Sequence, residues 1–276
     1  MPRYNQKEKI RAHYDFVSPF YISLWGEHLH HGYWIHGDES KEEAQLQLVD
    51  HLAQAARFPR DCTVLDIGCG FGGSSIHLAK KYNAQATGIT ISPVQVELAR
   101  KAAKQAGANA TFLNMDAEVM EFPEPFDVLW SVESISHYQN QAKFFAAAAK
   151  LLKPGGTMAI TDWFKKDDIT AREHRKILAP IEKGMLVELH SMEEYEHLME
   201  KCGLTVVKTE ILNKHCAKTW DLCVDIIKKK EFWLIAAKQG IAFIHFLKAF
   251  KAMRAGFASS NFVYGLMVAK KSGAME

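Results

Sequence analysis

Cysteine is scarce and unpaired in this chain. The five cysteines among 276 residues (Cys62, Cys69, Cys202, Cys216 and Cys223) include no CxxC pair, which argues against a disulfide scaffold or a zinc ribbon. They point instead to reduced thiols and a cytoplasmic protein. Charge of one sign is also lacking: 34 Lys and Arg against 32 Asp and Glu leave +2, too little to expect bulk affinity for nucleic acid. Long apolar runs are missing as well. The richest stretch, Phe232 to Phe250, is interrupted by Lys238, His245 and Lys248, so it is not expected to span a membrane. Residues Met1 to Ile10 carry no apolar core, so no secretory leader is expected. Internal repeats and low-complexity linkers are absent, and the length suits a single domain over 1–276.

What the chain does have is alternation. Residues 6 to 60 read as helical, with breaks at Ser18-Pro19 and around Gly32 to Gly37. Ser40-Lys-Glu-Glu43 is a capping box, starting a helix that runs to about Arg57. From residue 61 onward, short apolar runs alternate with helical patterns. Strands are expected at Val64–Ile67, Ala86–Ile89, Ala110–Leu113, Phe126–Trp130 and Thr157–Thr161. Helices are expected over 74–81, from Ser92-Pro93 to Gly107 behind a second capping box (Ser92 with Gln95), and over 141–152 behind Asn140. Lys153-Pro-Gly-Gly156 reads as a turn. This order predicts an α/β doubly wound, mostly parallel sheet. Further strands at Leu204–Ile211 and Phe262–Ala269 enclose about fifty mostly helical residues, too many for a plain connection, and they are expected to form a lid or pocket wall.

Glycine is concentrated where it matters most. Val64-Leu-Asp-Ile-Gly-Cys-Gly-Phe-Gly-Gly73 places four glycines between a strand and a helix. Such a loop lets backbone N–H groups approach a ligand at a helix N-terminus. A glycine loop alone is a weak signal, since dinucleotide sites use one too. In a doubly wound sheet, however, ligands bind beyond the carboxyl ends of the strands. Gly68, Thr90, Asp116, Ser131–His137 and Asp162 all fall at expected strand ends. Their convergence on one crevice is the more specific observation.

These motifs carry a resemblance. Asp66 two residues before Gly68, and Leu-Lys-Pro-Gly-Gly before the fifth strand, resemble class I S-adenosylmethionine (SAM)-dependent methyltransferases. Tyr14-Asp15, the run Leu24-Trp-Gly-Glu-His-Leu-His-His-Gly-Tyr-Trp34, Thr219-Trp-Asp-Leu-Cys223 and Asn261-Phe-Val-Tyr-Gly265 resemble the γ-tocopherol methyltransferase-like branch. That branch is similar to sugar O-methyltransferases and sarcosine/dimethylglycine methyltransferases, and more distantly to cyclopropane-fatty-acid synthases. The resemblance spans essentially the whole chain. It implies a seven-stranded sheet with an N-terminal helical cap (1–60), a SAM-binding core (61–162) and acceptor-side helices with closing strands (163–276).

The resemblance also implies a cofactor site. Gly68, Cys69 and Gly70 would pass under the methionine part of SAM, with Asp66 bracing the loop. Thr90, Ser92 and Gln95 would supply ribose hydrogen bonds, since the acidic residue many relatives carry after the second strand is replaced by Gly88-Ile-Thr-Ile-Ser-Pro-Val-Gln95. The missing acid also counts against an NAD(P)-dependent oxidoreductase. Asp116 and Ala117 would meet the adenine, and Tyr14 and His30 would close over the SAM carboxylate. Glu133 and Ser134 would serve the same pocket.

Methyl transfer from a sulfonium needs little beyond alignment and exclusion of water, but a phenol or alcohol must also lose a proton. His137 is the candidate base, and Asp162 the residue that orients it or binds the acceptor. Each has a plainer reading: His137 as a packing or cofactor contact, Asp162 as a turn cap. The histidines at 28, 30, 31 and 36 lack metal-ligand spacing and are expected to pack against Trp25, Tyr33 and Trp34. Within 232–254, Phe232, Ile235, Ala236, Phe243, Phe246, Leu247 and Phe250 recur near helical spacing. They suggest a lid helix or, more sharply, a face that touches a membrane surface transiently. The expected reaction is methylation of an aromatic quinol or phenol. The alternatives are N-methylation of a small amine and a SAM-binding protein without turnover.

Overall fold

The computed structural model describes residues 6–228, 232–233 and 241–273. Two helices precede the sheet: α1 (Gln6–Leu24) and α2 (Lys41–Ala55). The sheet is assembled from β1 (Thr63–Ile67), β2 (Gln85–Thr90), β3 (Ala110–Asn114), β4 (Phe126–Val132), β5 (Leu152–Lys165), β6 (Leu204–Ile211) and β7 (Phe262–Lys271). Helices α3 (Gly73–Tyr82), α4 (Pro93–Ala106) and α5 (Gln141–Lys150) follow β1, β2 and β4. The strand order is β3-β2-β1-β4-β5-β7-β6, parallel except that β7 runs antiparallel to both β5 and β6. The reversal between β1 and β4 is the switch point, the place where a crevice opens above a doubly wound sheet.

Both faces of the sheet are covered, which is why its strands read as continuous apolar runs. Successive side chains point to opposite faces. Val64 accordingly joins a core with Leu48, Leu52, Leu78 and Trp130, while Leu65 and Ile67 join Ile89, Leu129, Phe144 and Ile160 on the other side.

Most expected elements form within a residue or two of the boundaries read from sequence, and four local features differ. Helix α1 runs through Ser18-Pro19 without a break. Its packing on α4, where the Ser92 hydroxyl donates to Asp15 Oδ1, outweighs the one backbone bond a proline removes. The segment 153–156 is not a turn between elements. It bulges within β5, where Phe126 pairs with Leu152 but Val128 pairs with Thr157, so four residues face Asp127 alone. Asp162 does not end a strand, because pairing with β7 carries β5 on to Lys165 and sets Asp162 opposite Gly265. The box at Ser92 is half formed. Its hydroxyl accepts from the Gln95 N–H, but the Gln95 side chain turns instead to Thr90.

Between β6 and β7 lie the helices Lys218–Ile227 and Ile241–Ala258. Ile235, Ala236 and Lys238, part of the apolar stretch singled out in the sequence, lie outside the described residues. Among the described residues no helix is long and apolar enough to cross a membrane.

Candidate active site

The glycine loop begins where β1 ends. The Gly68 and Cys69 N–H groups both donate to the Ile89 carbonyl, at 2.9 and 3.0 Å, which ties the loop to β2. Gly68 has φ +79°, and a Cβ there would sit 1.9 Å from Ser134 Oγ, so glycine is required on both counts. Gly72 caps α3 at φ +80° without any side-chain cap, leaving the helix N-terminus open toward the loop. Beneath it Asp66 is buried and accepts from Ser75 Oγ at 2.6 Å. Burial pushes its carboxyl up to about 6 despite that bond.

Above the loop lies a cavity of about 340 Å³. Its walls include Tyr14, His30, Asp66, Gly68, Cys69, Gly70, Thr90, Gln95, Asp116, Ala117, Glu133, Ser134 and His137, thirteen of the fifteen residues singled out from sequence. Ser92 and Asp162 stand outside it. Ser92 is the α4 cap. Asp162 is fully buried, and its carboxylate accepts from the Ser136 N–H (3.0 Å), Ser136 Oγ (2.9 Å) and the Trp163 N–H (2.7 Å). It therefore fixes the short turn Ile135–His137 and is not among the residues that line the cavity. Burial raises its carboxyl to about 7.

Several of the wall residues already have partners. Thr90 Oγ1 donates to Gln95 Oε1 at 2.7 Å, which sets the side-chain amide of Gln95. Lys7 bridges Asp116 and Glu118 at 2.7 and 2.6 Å. His30 donates from Nδ1 to the His31 carbonyl at 2.8 Å, and its Nε2 accepts a hydrogen bond from His28 Nδ1 at 2.9 Å, so both ring nitrogens are engaged within the cap. Ser134 Oγ and the Tyr138 hydroxyl are in hydrogen-bond contact. His137 contacts the Leu186 carbonyl through Nδ1 (3.3 Å) and the Tyr14 hydroxyl through Nε2 (3.1 Å). Burial lowers its pKa to about 4, so the ring is neutral at pH 7.

Glu133 lines the cavity and is also tied to the N-terminal cap. It follows β4 at φ +51°, a strained position for a residue with a side chain. Its Oε1 accepts from the His31 N–H (2.6 Å), faces His31 Nδ1 (3.0 Å) and accepts from the Tyr264 hydroxyl (2.8 Å). Burial would raise its pKa, but the neighbouring His31 and its hydrogen bonds hold it below the usual carboxylate value. His31 in turn stacks on Tyr264 (4.5 Å between centroids) and meets Trp220 and Trp163 edge-on (5.0 and 6.2 Å). Its packing partners thus come from the far end of the chain, not from Trp25, Tyr33 and Trp34 beside it. Tyr33 stacks on His51 and His215 instead. The His-His-Gly run was visible in the sequence, but its pairing with Glu133 required the fold. Among the described residues, no group of His, Cys, Asp and Glu could hold a metal ion.

The glycine cradle, the open helix terminus, the Thr90–Gln95 pair and Asp116 fit what a SAM site needs, and a Cβ at Gly68 would collide with Ser134 in the same cavity wall. With the sheet order they define a class I SAM-dependent methyltransferase. The family model for mycolic acid cyclopropane synthetase matches residues 2–261, and the chain belongs to that family. It is 33% identical over 216 residues to 27-O-demethylrifamycin SV methyltransferase of Amycolatopsis mediterranei (77% of this chain, 79% of the relative). It is 32% identical over 248 residues to the probable chloroplastic tocopherol O-methyltransferase of Oryza sativa (82% and 67%). In fold it matches the cyclopropane synthase MmaA2 of Mycobacterium tuberculosis with a TM-score of 0.84 at 22% identity, covering 98% of this chain and all of that one. The relatives span several small-molecule methyltransferase families.

Proposed function

We propose that the protein methylates an aromatic quinol or phenol, on carbon or oxygen, from SAM. The observation that carries this reading is the character of the cavity. Besides the polar cofactor cradle, its lining includes the apolar side chains Trp163, Trp220, Phe250, Met253 and Ile226. Such a wall suits a flat or prenylated acceptor. Two of the relatives named above carry the names tocopherol O-methyltransferase (probable) and 27-O-demethylrifamycin SV methyltransferase, which agrees with a methyl acceptor on oxygen. SAM supplies, when bound, an electrophilic methyl group on a sulfonium and leaves as a neutral thioether. The chain's part is to align and to keep water out. Gly68 to Gly70 hold the amino-acid end, Gln95 and Thr90 the ribose, and Asp116 the adenine. Residues of α1 and of the helices Lys218–Ile227 and Ile241–Ala258 line the cavity and would shield the bound reactants from water.

The test is incubation with methyl-labelled SAM and a panel of prenylated quinols, simple phenols, sugars and small amines. Label on a quinol or phenol is expected, and label only on amines would overturn the reading.

A further inference from the structure

The two carboxylate oxygens of Glu133 stand in different surroundings. Three hydrogen-bonding groups converge on Oε1: the His31 N–H, His31 Nδ1 and the Tyr264 hydroxyl, at 2.6, 3.0 and 2.8 Å. Among the described residues none reaches Oε2, although a carboxylate oxygen has two lone pairs to fill. The side chain is 10% exposed and lines the cavity. Oε2 is therefore open to it, whereas the neighbouring His31 Nε2, Trp163 Nε1 and Trp220 Nε1 are sealed in the packing.

Glu133 is also a charge in need of a counter-ion. Burial opposes its ionisation, but His31 and the hydrogen bonds outweigh burial and hold the carboxyl below the usual value. Among the described residues it has no Lys or Arg partner, and the contacts of His31 fall on Oε1. Lys7 is committed to Asp116 and Glu118. Burial lowers the pKa of His30 and His137, so neither ring carries charge at pH 7. Asp66, another acid of the cavity wall, lies beneath the loop and is bonded to Ser75. Buried carboxylates are ordinarily paired, so the open oxygen calls for a cation from the ligand.

The position of Glu133 points to which cation. Its neighbour Ser134 borders the cofactor cradle, since a Cβ at Gly68 would sit 1.9 Å from Ser134 Oγ. Its partner His31 stacks on Tyr264 and meets Trp220 and Trp163, which belong to the apolar lining. Glu133 thus joins the cradle to the apolar lining. The sulfonium is the part of SAM that must face both, because the methyl group leaves the cofactor there.

We propose that Oε2 of Glu133 faces the sulfonium of SAM and makes the site prefer the charged cofactor to its neutral product, S-adenosylhomocysteine. This rests on the cofactor reading of the site and not on which acceptor is methylated. On transfer the bond from sulfur to the methyl carbon breaks, its electron pair stays on sulfur, and the positive charge there is gone. The attraction to Oε2 goes with it, so spent cofactor is the weaker ligand and is exchanged for fresh.

The experiment is titration calorimetry of the full chain with SAM, S-adenosylhomocysteine and sinefungin, which carries an amine where SAM has its methyl group. Wild type is expected to bind the two cationic ligands at least about threefold tighter than the neutral one, as a charge-assisted contact requires. A wild type that prefers S-adenosylhomocysteine overturns the proposal. The groups around Oε1 keep an oxygen there, so Glu133→Gln sets its NH2 where Oε2 stood and removes the charge with little change of shape. This variant is expected to lose about tenfold or more in affinity for SAM and sinefungin while S-adenosylhomocysteine stays within about threefold. Equal losses for all three ligands, or no loss, overturn the proposal. Tyr264→Phe removes a donor to Oε1 but leaves the charge, so the wild-type preference is expected to persist, and its disappearance would overturn the role of the charge. A wild type that binds none of the three ligands overturns the cofactor reading itself.

Discussion

The Tyr14 hydroxyl lies 3.1 Å from Nε2 of His137, while Nδ1 of the same ring lies 3.3 Å from the Leu186 carbonyl. A carbonyl only accepts, so Nδ1 carries the proton and Nε2 accepts from the phenol. The cap helix α1 is thereby coupled to the turn after β4. Tyr14, which the resemblance assigns to the SAM carboxylate, also lines the cavity.

That coupling has a pH signature. His137 is held neutral down to about 4 in the folded protein, against 6.5 for a free histidine. The unfolded chain therefore takes up this proton first as pH falls, and stability is lost from about pH 6.5 down to about 4. His137→Gln lacks this loss. Melting curves across that range are expected to show wild type losing ground to His137→Gln as pH drops, and parallel curves would refute it.

Asp162 predicts the opposite trend. Its carboxyl titrates near 7 when folded and 3.8 when free, so the folded state holds the proton longer and stability falls as pH rises between those values. Asp162→Asn removes the buried charge and keeps an acceptor oxygen for one of the two N–H groups, Ser136 at Oδ2 or Trp163 at Oδ1. Its melting temperature relative to wild type is expected to rise by several degrees between pH 4 and pH 7. A constant difference would show that the buried carboxyl is not protonated there.

The glycine loop can be separated from glycine's general cost. Gly68 and Gly107 both have positive φ, but a Cβ at Gly107 meets nothing within 4 Å. Gly107→Ala should cost about 1–2 kcal/mol of stability and leave S-adenosylhomocysteine affinity unchanged. Gly68→Ala drives a methyl into Ser134 Oγ and should weaken that affinity by more than about 10-fold, measured by titration calorimetry. Equal affinities would remove the loop from the cofactor site.

Gln95 offers a finer test. Its Oε1 is taken by Thr90, so the amide N–H groups are what it can present to the ribose. Gln95→Leu fills similar space and is expected to weaken S-adenosylhomocysteine binding by about 10-fold, the worth of one or two hydrogen bonds. An unchanged dissociation constant would place the ribose elsewhere.

Much of this molecule is legible in the chain because its information is local. The run Val64–Ile67 before four glycines, the cap Ser40 with Glu43 and the proline after Ser92 each act within a few residues, and the structure forms the strand, box and helix start there. Strand ends gather at the switch point of any doubly wound sheet, so a glycine, a threonine and an aspartate read at three ends meet in one cavity. What the tertiary structure decided is which groups pair across long separations. The link from Glu133 to His31 joins residues 102 apart, and Tyr14 and His137 are 123 apart. Neither pairing leaves a periodic or spacing signal, because hydrogen-bond partners are chosen by geometry after the sheet has closed. The same holds for Asp162, which β7 carries from an expected strand end into the interior. The sequence alone determined the fold and gathered the strand-end residues into one cavity, while which side chains pair within it had to wait for the packing.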